Sequence, residues 1–242
     1  MNEKTFNRIF NGFILVGTAA AVITATIVKI LEGEAFFDWR LALSAFGSIM
    51  GILSTVSAAN GRMVTFIFGL IDVTLYGVMC WFGENYGNAA LHLLYFVPMQ
   101  VVGLVQWKRR GASRSSELRA RRLSPRQRLL AAGVLVAGTA VVYMVLSGLS
   151  DSPAATVIKW AVLADAVAVL CNIIGQFLMS TAYAEQWVLW IGVNVSSIVM
   201  WGAALSDPEA SGHGFASIYV IKYAFYLLNA INGLRIWIKL SK

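Results

Sequence analysis

The sequence predicts an all-α polytopic membrane protein with eight transmembrane helices, set out as one N-terminal helix plus two parallel three-helix bundles joined by a single helix. Three observations carry this. Hydrophobic residues make up 58% of the 242-residue chain and charged residues 13%, against about 25% charged in soluble domains. Eight apolar runs are long enough to cross ~30 Å of hydrocarbon, which takes about 20 residues per helix. The positive charge is concentrated: the chain carries net +7, yet Lys108–Arg128 alone holds nine Lys/Arg and one acid, Glu117. This composition excludes a disordered chain, a disulfide scaffold and a coiled coil. The confined charge also argues against duplex binding, which needs a basic surface spread over a fold.

The eight runs are Phe6–Ile30, Trp39–Ala58, Met63–Phe82, Ala89–Trp107, Leu129–Leu149, Thr156–Thr181, Trp187–Leu205 and Phe215–Ile238. They read as helices because backbone in lipid must satisfy its own hydrogen bonds. A β-barrel would alternate in polarity, and Ala131–Leu146 does not. Lys4 and Arg8 precede the first run as in a signal peptide. That run is too long for an apolar signal core and lacks a clear small-x-small cleavage site before a polar chain, so it reads as a membrane helix. Cys80 and Cys171 sit inside apolar runs and read as small core residues, with no disulfide and no Cys/His metal cluster.

With Lys108–Arg128 in the cytoplasm, Lys4, Arg8, Arg62, Arg235, Lys239 and Lys242 fall on the same side. The opposite loops carry Glu32, Glu34, Asp38, Glu84, Asp151, Asp207 and Glu209. The exceptions are Lys29, Arg40 and Lys159 at outer edges and Glu185 inside. Both termini are therefore expected in the cytoplasm.

The fourth run contains Gly103-x-x-x-Trp107 and the eighth Gly233-x-x-x-Trp237, an offset of 130. Tyr95 and Phe96 stand against Phe225 and Tyr226, and His92 against Lys222. An offset of 122 places Phe68 of the third run against Trp190 of the seventh and Asp72 against Asn194. Runs two to four thus resemble runs six to eight. Two three-helix units in one orientation need an odd number of linking helices, which the fifth run supplies. The expected organisation is an N-terminal helix (1–31), a first bundle (39–107), a basic cytoplasmic loop (108–128), a linker helix (129–150) and a second bundle (156–242).

Polar residues inside membranes are costly and mark cavities or partners. Away from the span ends stand Asp72, His92, Asp165 and Lys222, with the amides Gln100, Asn172, Gln176, Asn194, Asn229 and Asn232. Trp187, Trp190, Asn194, Ser197 and Trp201 share one helical face. Two tryptophans followed by an amide form an aromatic wall with a polar tip, suited to a planar or cationic ring. Trp187, at the start of its run, also fits an interfacial aromatic belt; Asn194, ~12 Å deeper at 1.5 Å per residue, does not. Tyr219, Lys222, Tyr226, Asn229 and Gly233 share a face of the eighth run, and Asp72 and Tyr76 a face of the third. A central pathway explains them together; an ion pair of Lys222 with Asp72 or Asp165 is the structural alternative for the charges. No phosphate-binding loop, zinc-protease motif, nucleophile elbow or selectivity filter is present, so neither enzymatic activity nor a cofactor is expected.

These residues resemble one family. Trp187-x-x-Trp190-x-x-x-Asn194 is similar to the WxxWxxxN motif of the PnuC-type nicotinamide riboside transporters. So are Gly61-Arg62 with Phe66, Gly69 and Asp72-Val73-x-x-Tyr76, then Pro98-x-Gln100-x-x-Gly103-x-x-x-Trp107, and Asn229-x-x-Asn232-Gly233-x-x-x-Trp237. The likeness runs from about Trp39 to the C-terminus. It implies a SWEET-like fold, a homotrimer, and facilitated diffusion of nicotinamide riboside, a vitamin B3 form, across the bacterial inner membrane, trapped by cytoplasmic phosphorylation. In that setting Trp187 and Trp190 are expected against the ring system and Asn194 and Gln100 on the amide or ribose. Tyr226, Asn229, Asp72 and Lys222 are expected in the wall or gate of the site. Two rivals share parts of the pattern. A SWEET-type sugar transporter, or one for another nucleoside or vitamin, has the same architecture. A retinal-binding photoprotein would use Lys222 and Asp72, but needs seven spans and no repeat.

Overall fold

The computed structural model describes residues 2–31, 39–82, 89–112, 118–149, 157–206 and 213–242. The acids expected in the opposite loops, together with Arg114 and Glu117, lie outside these, as do the side chains of Lys29, Arg40 and Lys159. Eight helices span the described chain: α1 Glu3–Leu31, α2 Trp39–Ala59, α3 Thr65–Phe82, α4, α5 Pro125–Leu149, α6 Val157–Ser180, α7 Gln186–Leu205 and α8 His213–Leu240. α4 opens as a π-helical segment, Leu91–Phe96, and continues as the α-helix Val97–Arg109. By length and composition α1, α2, α3, α5, α6 and α7 can cross a membrane. α4 is divided into a π and an α segment, each shorter than a span, and α8 carries Lys222, Asn229, Asn232 and Arg235 among its apolar residues.

Six helices close a ring in the order α2, α3, α4, α6, α7, α8 and back to α2. Outside it, α1 lies against α8 and α2, and α5 lies against α6. Small residues set the close approaches. A Cβ on Gly17 of α1 would strike the Phe225 ring at 2.3 Å, and one on Gly138 of α5 would meet Leu170 at 2.6 Å. Along α2, Gly47-x-x-x-Gly51 faces α3, with Gly47 against Leu75 and Gly51 against the Asp72 carboxylate. α5 exposes Leu129, Leu130, Val136, Met144 and Val145, as a lipid-facing helix does.

One end of the ring, here called the basic end, is sealed by backbone geometry. α2 ends in a Schellman cap: Gly61 adopts φ +63°, its N–H donates to Ala58 C=O at 3.0 Å, and Arg62 N–H donates to Ser57 C=O at 3.0 Å. α6 ends identically 121 residues later, with Ala182 at φ +63°, its N–H to Met179 C=O at 3.0 Å and Tyr183 N–H to Leu178 C=O at 2.8 Å. The two carbonyls in these caps each accept a second bond, from a tryptophan of the other half. Trp107 Nε1–H donates to Met179 C=O at 2.8 Å, and Trp237 Nε1–H donates to Ala58 C=O at 2.9 Å. Both indoles are fully buried, 5.2 Å apart between centroids, with Phe66 edge-on to Trp107 at 4.8 Å and Trp187 near Trp237 at 6.2 Å.

The chain joining the halves is a strap across this end. Leu118 is buried, Ala120 N–H donates to Leu240 C=O at 3.0 Å, and Arg121 forms an isolated parallel bridge with Tyr183. The Arg121 guanidinium also covers the Tyr183 ring at 4.3 Å. α5 begins earlier than its hydrophobicity suggests. Ser124 and Gln127 form a capping box, Ser124 N–H to Gln127 Oε1 at 2.9 Å and Gln127 N–H to Ser124 Oγ at 3.3 Å, with Pro125 as the first helical residue. Arg126 and Arg128, expected in the loop, therefore stand on the first turn of α5.

Glu185, an acid expected on the basic side, is held there by its neighbours. It accepts from Arg128 at 2.9 Å and from Leu123 N–H at 3.1 Å. Glu185→Ala removes both contacts; because Arg128 is half exposed, the expected cost is about 1 kcal/mol. A thermal melt of the purified protein, showing Tm lower by a few degrees at most, checks this. At the same end Glu3 pairs with Lys239, and Arg235 bonds Asn7 and covers the Phe6 ring at 4.8 Å, tying α1 to α8.

Candidate substrate pathway

Inside the ring, polar and aromatic side chains form layers perpendicular to the helices. Farthest from the basic end, Trp201 of α7 stacks on Tyr219 of α8, centroids 4.2 Å apart and planes 14° from parallel. One turn deeper, Ser197 of α7 lies near Tyr223 of α8. On α3, Tyr76 stands one turn from Cys80, its ring 4.5 Å from the His92 ring of the π segment. π-turns widen a helix locally and recur where side chains must be re-aimed.

The next layer holds Asp72, Asn194 and Tyr226. The half-buried Asp72 carboxylate rests where Gly51 has no side chain; a Cβ there would stand 2.9 Å from Oδ2. Asp72 interacts electrostatically with Lys222 and Tyr226 of α8 without a direct ion pair; among the described residues the ion pairs are Arg128–Glu185, Arg235–Glu3 and Lys239–Glu3. Lys222 Nζ lies 5.8, 5.9 and 5.6 Å from the ring centroids of Tyr219, Tyr223 and Tyr226. Asn194, buried, donates through Nδ2 to Trp190 C=O at 2.8 Å, one turn back on its own helix.

Below these come Gln100, Trp190 and Asn229. Gln100 is buried against Gly69, whose missing Cβ leaves room for Oε1, and that oxygen has no hydrogen-bond partner. Trp190, packed over Gly175, donates through Nε1 to Gln186 Oε1 at 3.3 Å, leaving the buried Gln186 Nε2 unpartnered. Asn229 Nδ2 donates to Thr55 C=O at 3.3 Å while its Oδ1 is unpartnered. Trp187 stands deepest: its indole lies over Gly233, is 3% exposed and belongs to the tryptophan cluster of the basic end.

The structure thus brings Asp72, Lys222, Tyr226 and Asn194 to the middle of the ring, with Gln100, Trp190 and Asn229 one turn nearer the basic end. Trp187 forms the floor beneath them. Sequence reasoning missed Gln186, Tyr223, Gly51 and the π segment. Gly51 had a signal, the Gly47-x-x-x-Gly51 spacing of close helix packing. Gln186, just ahead of Trp187, had none beyond its residue type. The two cysteines are free, with Cys171 buried against Gly192. The described residues contain no group of three metal-ligating side chains.

Buried polar atoms without partners are rare in native proteins. The collar holds three unpartnered amide atoms, a carboxylate, an ammonium and several tyrosines, a combination of hydrogen-bonding groups and π faces.

The chain is similar to known proteins over most of its length. Residues 41–239 match the family model described as "Nicotinamide mononucleotide transporter". The nicotinamide riboside transporter PnuC of Neisseria mucosa is 34% identical over 205 residues, covering 83% of this chain and 73% of the relative. The PnuC proteins of Haemophilus influenzae and Escherichia coli are 27% and 26% identical, each over 83% of this chain, and the matches cover 80% and 86% of those relatives. The crystal structure of the vitamin B3 transporter PnuC superposes with a TM-score of 0.67 at 30% identity, over all of this chain and 93% of that one. The family is one of transporters rather than enzymes, and its members are multi-pass membrane proteins. With a family match over most of its length and a shared fold, this chain belongs to the PnuC family of membrane transporters.

Proposed function

We propose that this protein carries nicotinamide riboside across the bacterial inner membrane into the cytoplasm, through the interior of the six-helix ring. The observation that carries the choice of substrate is the make-up of the collar. Gln100, Gln186 and Asn229 each keep an amide atom unpartnered, matching a carboxamide and ribose hydroxyls. Trp190 and the tyrosines offer π faces to a pyridinium ring. The family model's description names the mononucleotide, whereas the curated relatives are named for the riboside. The two differ by a phosphate. Phosphate is best held by a bidentate arginine, and the described collar is built from amides, tyrosines, Asp72 and Lys222. The riboside is therefore the better fit. Transport by facilitated diffusion, with phosphorylation as the cytoplasmic trap, is proposed from the family resemblance; a phosphorylated product is one that this collar would not carry back.

We propose that the basic end, with both termini, lies in the cytoplasm; the clustering of Lys and Arg there supports this. In this orientation the Trp107–Trp237 interlock and the strap close the cytoplasmic exit, and release requires the two halves to part at Ala58 and Met179. We also propose that α2–α4 and α6–α8 are parallel repeats, flanked by α1 and linked by α5 as in SWEET-like folds. The register supported by the paired caps is 121 for the first two helices of each unit: Gly61 with Ala182, Ala58 with Met179, and Phe66 on Gly103 with Trp187 on Gly233. It differs by one residue from the 122 suggested by Phe68 and Asp72, which turns the correspondence by about 100° on a 3.6-residue helix. Assembly as a homotrimer is proposed from the family resemblance.

Calorimetry of the detergent-purified protein against nicotinamide riboside, nicotinamide, nicotinamide mononucleotide and thiamine tests the substrate. Binding of the riboside alone is the expected result; a tighter mononucleotide would overturn it. Asn194→Ala is expected to weaken riboside binding by about tenfold, ~1.4 kcal/mol, and an unchanged affinity removes Asn194 from the site.

A further inference from the structure

Lys222 is an oddity in a pathway for a cation. An ammonium repels a pyridinium, and Lys222 lies about nine residues, ~13 Å at 1.5 Å per residue, below the start of α8. A lysine near a helix end normally extends its stem to bring the charge to the aqueous boundary. Lys222 instead holds Nζ within 5.9 Å of the Tyr219, Tyr223 and Tyr226 rings. It also faces Asp72 across the ring from α3, near enough to interact electrostatically and without a direct ion pair. Other groups turned toward this layer include Tyr76 from α3 and Asn194 and Ser197 from α7, none of them a cation or a carboxylate. Three tyrosine faces and one carboxylate are the components of a site for an organic cation.

We propose that Lys222 is a tethered cation that occupies the cation site formed by Tyr219, Tyr223, Tyr226 and Asp72, and that it sets substrate specificity by competing with the charged ring of the substrate. The inference rests on the riboside reading above and adds to it a residue that weakens binding. The reasoning is one of charge balance. With Asp72 and Lys222 both ionised the layer is neutral, and an incoming pyridinium makes it net positive in a medium of low dielectric. Removing the ammonium leaves Asp72 free to neutralise the ligand. A carrier gains from such a competitor, because a site that holds its cargo too firmly releases it slowly. The same device rejects small inorganic cations, which lack the ring and amide contacts needed to displace Lys222.

The test compares two ligands of nearly one shape: nicotinamide riboside, a cation, and its 1,4-dihydro form, which is uncharged. Binding is measured calorimetrically to purified wild-type protein and to Lys222→Gln, Lys222→Met and Asp72→Asn. Both Lys222 variants are expected to tighten the cationic form by about tenfold and to leave the uncharged form within about twofold. Asp72→Asn should weaken the cationic form selectively, which keeps the proposal falsifiable if neither Lys222 variant folds. An unchanged cation affinity in the Lys222 variants, or equal changes for both ligands, overturns the role of Lys222 while the riboside reading stands. Wild-type protein that binds neither form overturns the riboside reading and this role together.

Discussion

Trp107→Ala is expected to lower the stability of the folded protein by about 3–5 kcal/mol, the usual cost of truncating a fully buried aromatic, and Tm by ~10 °C for a chain of this size. Three terms combine. The indole is fully buried and packs edge-on to Phe66 and Trp237. Its Nε1–H satisfies Met179 C=O. The cavity opens where the two halves meet, so α4 and α6 lose a contact that fixes their relative position. Trp107→Phe separates these terms. It keeps most of the ring but leaves a buried carbonyl with one bond fewer, a loss of about 1–3 kcal/mol. Trp237→Phe, whose indole bonds Ala58 C=O at 2.9 Å, should behave alike. Melts of the three variants in one detergent decide the matter. A Trp107→Ala protein melting with wild type would show that the interlock contributes nothing.

Gly103→Val is expected to be as damaging by the opposite route. A Cβ on Gly103 would stand 2.1 Å from the Phe66 ring, inside any real contact distance. Phe66 cannot swing aside, since it is 2% exposed and wedged against Trp107. Overpacking of this kind costs about 1–3 kcal/mol when the core can yield, and more where an interhelical hydrogen bond is displaced with it. Gly233→Val repeats the experiment in the other half, where the Cβ would meet the Trp187 ring at 2.7 Å. Gly133→Ala on α5 is the control. Nothing lies within 4 Å of its Cβ position, so the change should be neutral or gain up to about 1 kcal/mol from helix propensity. Expression level and gel-filtration profile read all three. A well-folded Gly103→Val protein would refute the close packing of α3 on α4.

The helices themselves were legible because span length and polarity are one-dimensional properties. The run Trp39–Ala58 and the helix Trp39–Ala59 differ by one residue, since lipid forces the whole apolar stretch to bond internally. α5 was read four residues short because Pro125, Arg126 and Arg128 look like loop, and only the Ser124–Gln127 box shows them capped into the helix. The π segment of α4 was invisible, because no residue pattern in Leu91–Phe96 separates a π from an α turn. Among the site residues, the face shared by Trp190, Asn194, Ser197 and Trp201 was readable from spacing, and the structure turns it toward the tyrosines of α8. Trp187 lies on the same stripe yet packs into the floor of the ring, because Gly233 offers it a flat surface from a helix 46 positions later in the chain. Spacing along one helix says which side chains point together, not what stands opposite.

By itself the sequence determined the membrane class, the number of the helices and their extents to within a few residues, the segregation of positive charge to one end and the family motifs. All of these depend on composition or on neighbours within a few turns. Only the tertiary structure decided that the helices close into a ring, that the tryptophans of each half bond the helix caps of the other, and that Asp72 faces Lys222 from across the interior. Such facts depend on which helix packs on which. That choice is made by shape complementarity at glycines such as Gly51, Gly103 and Gly233, and by buried hydrogen bonds between residues as far apart in the chain as Ala58 and Trp237.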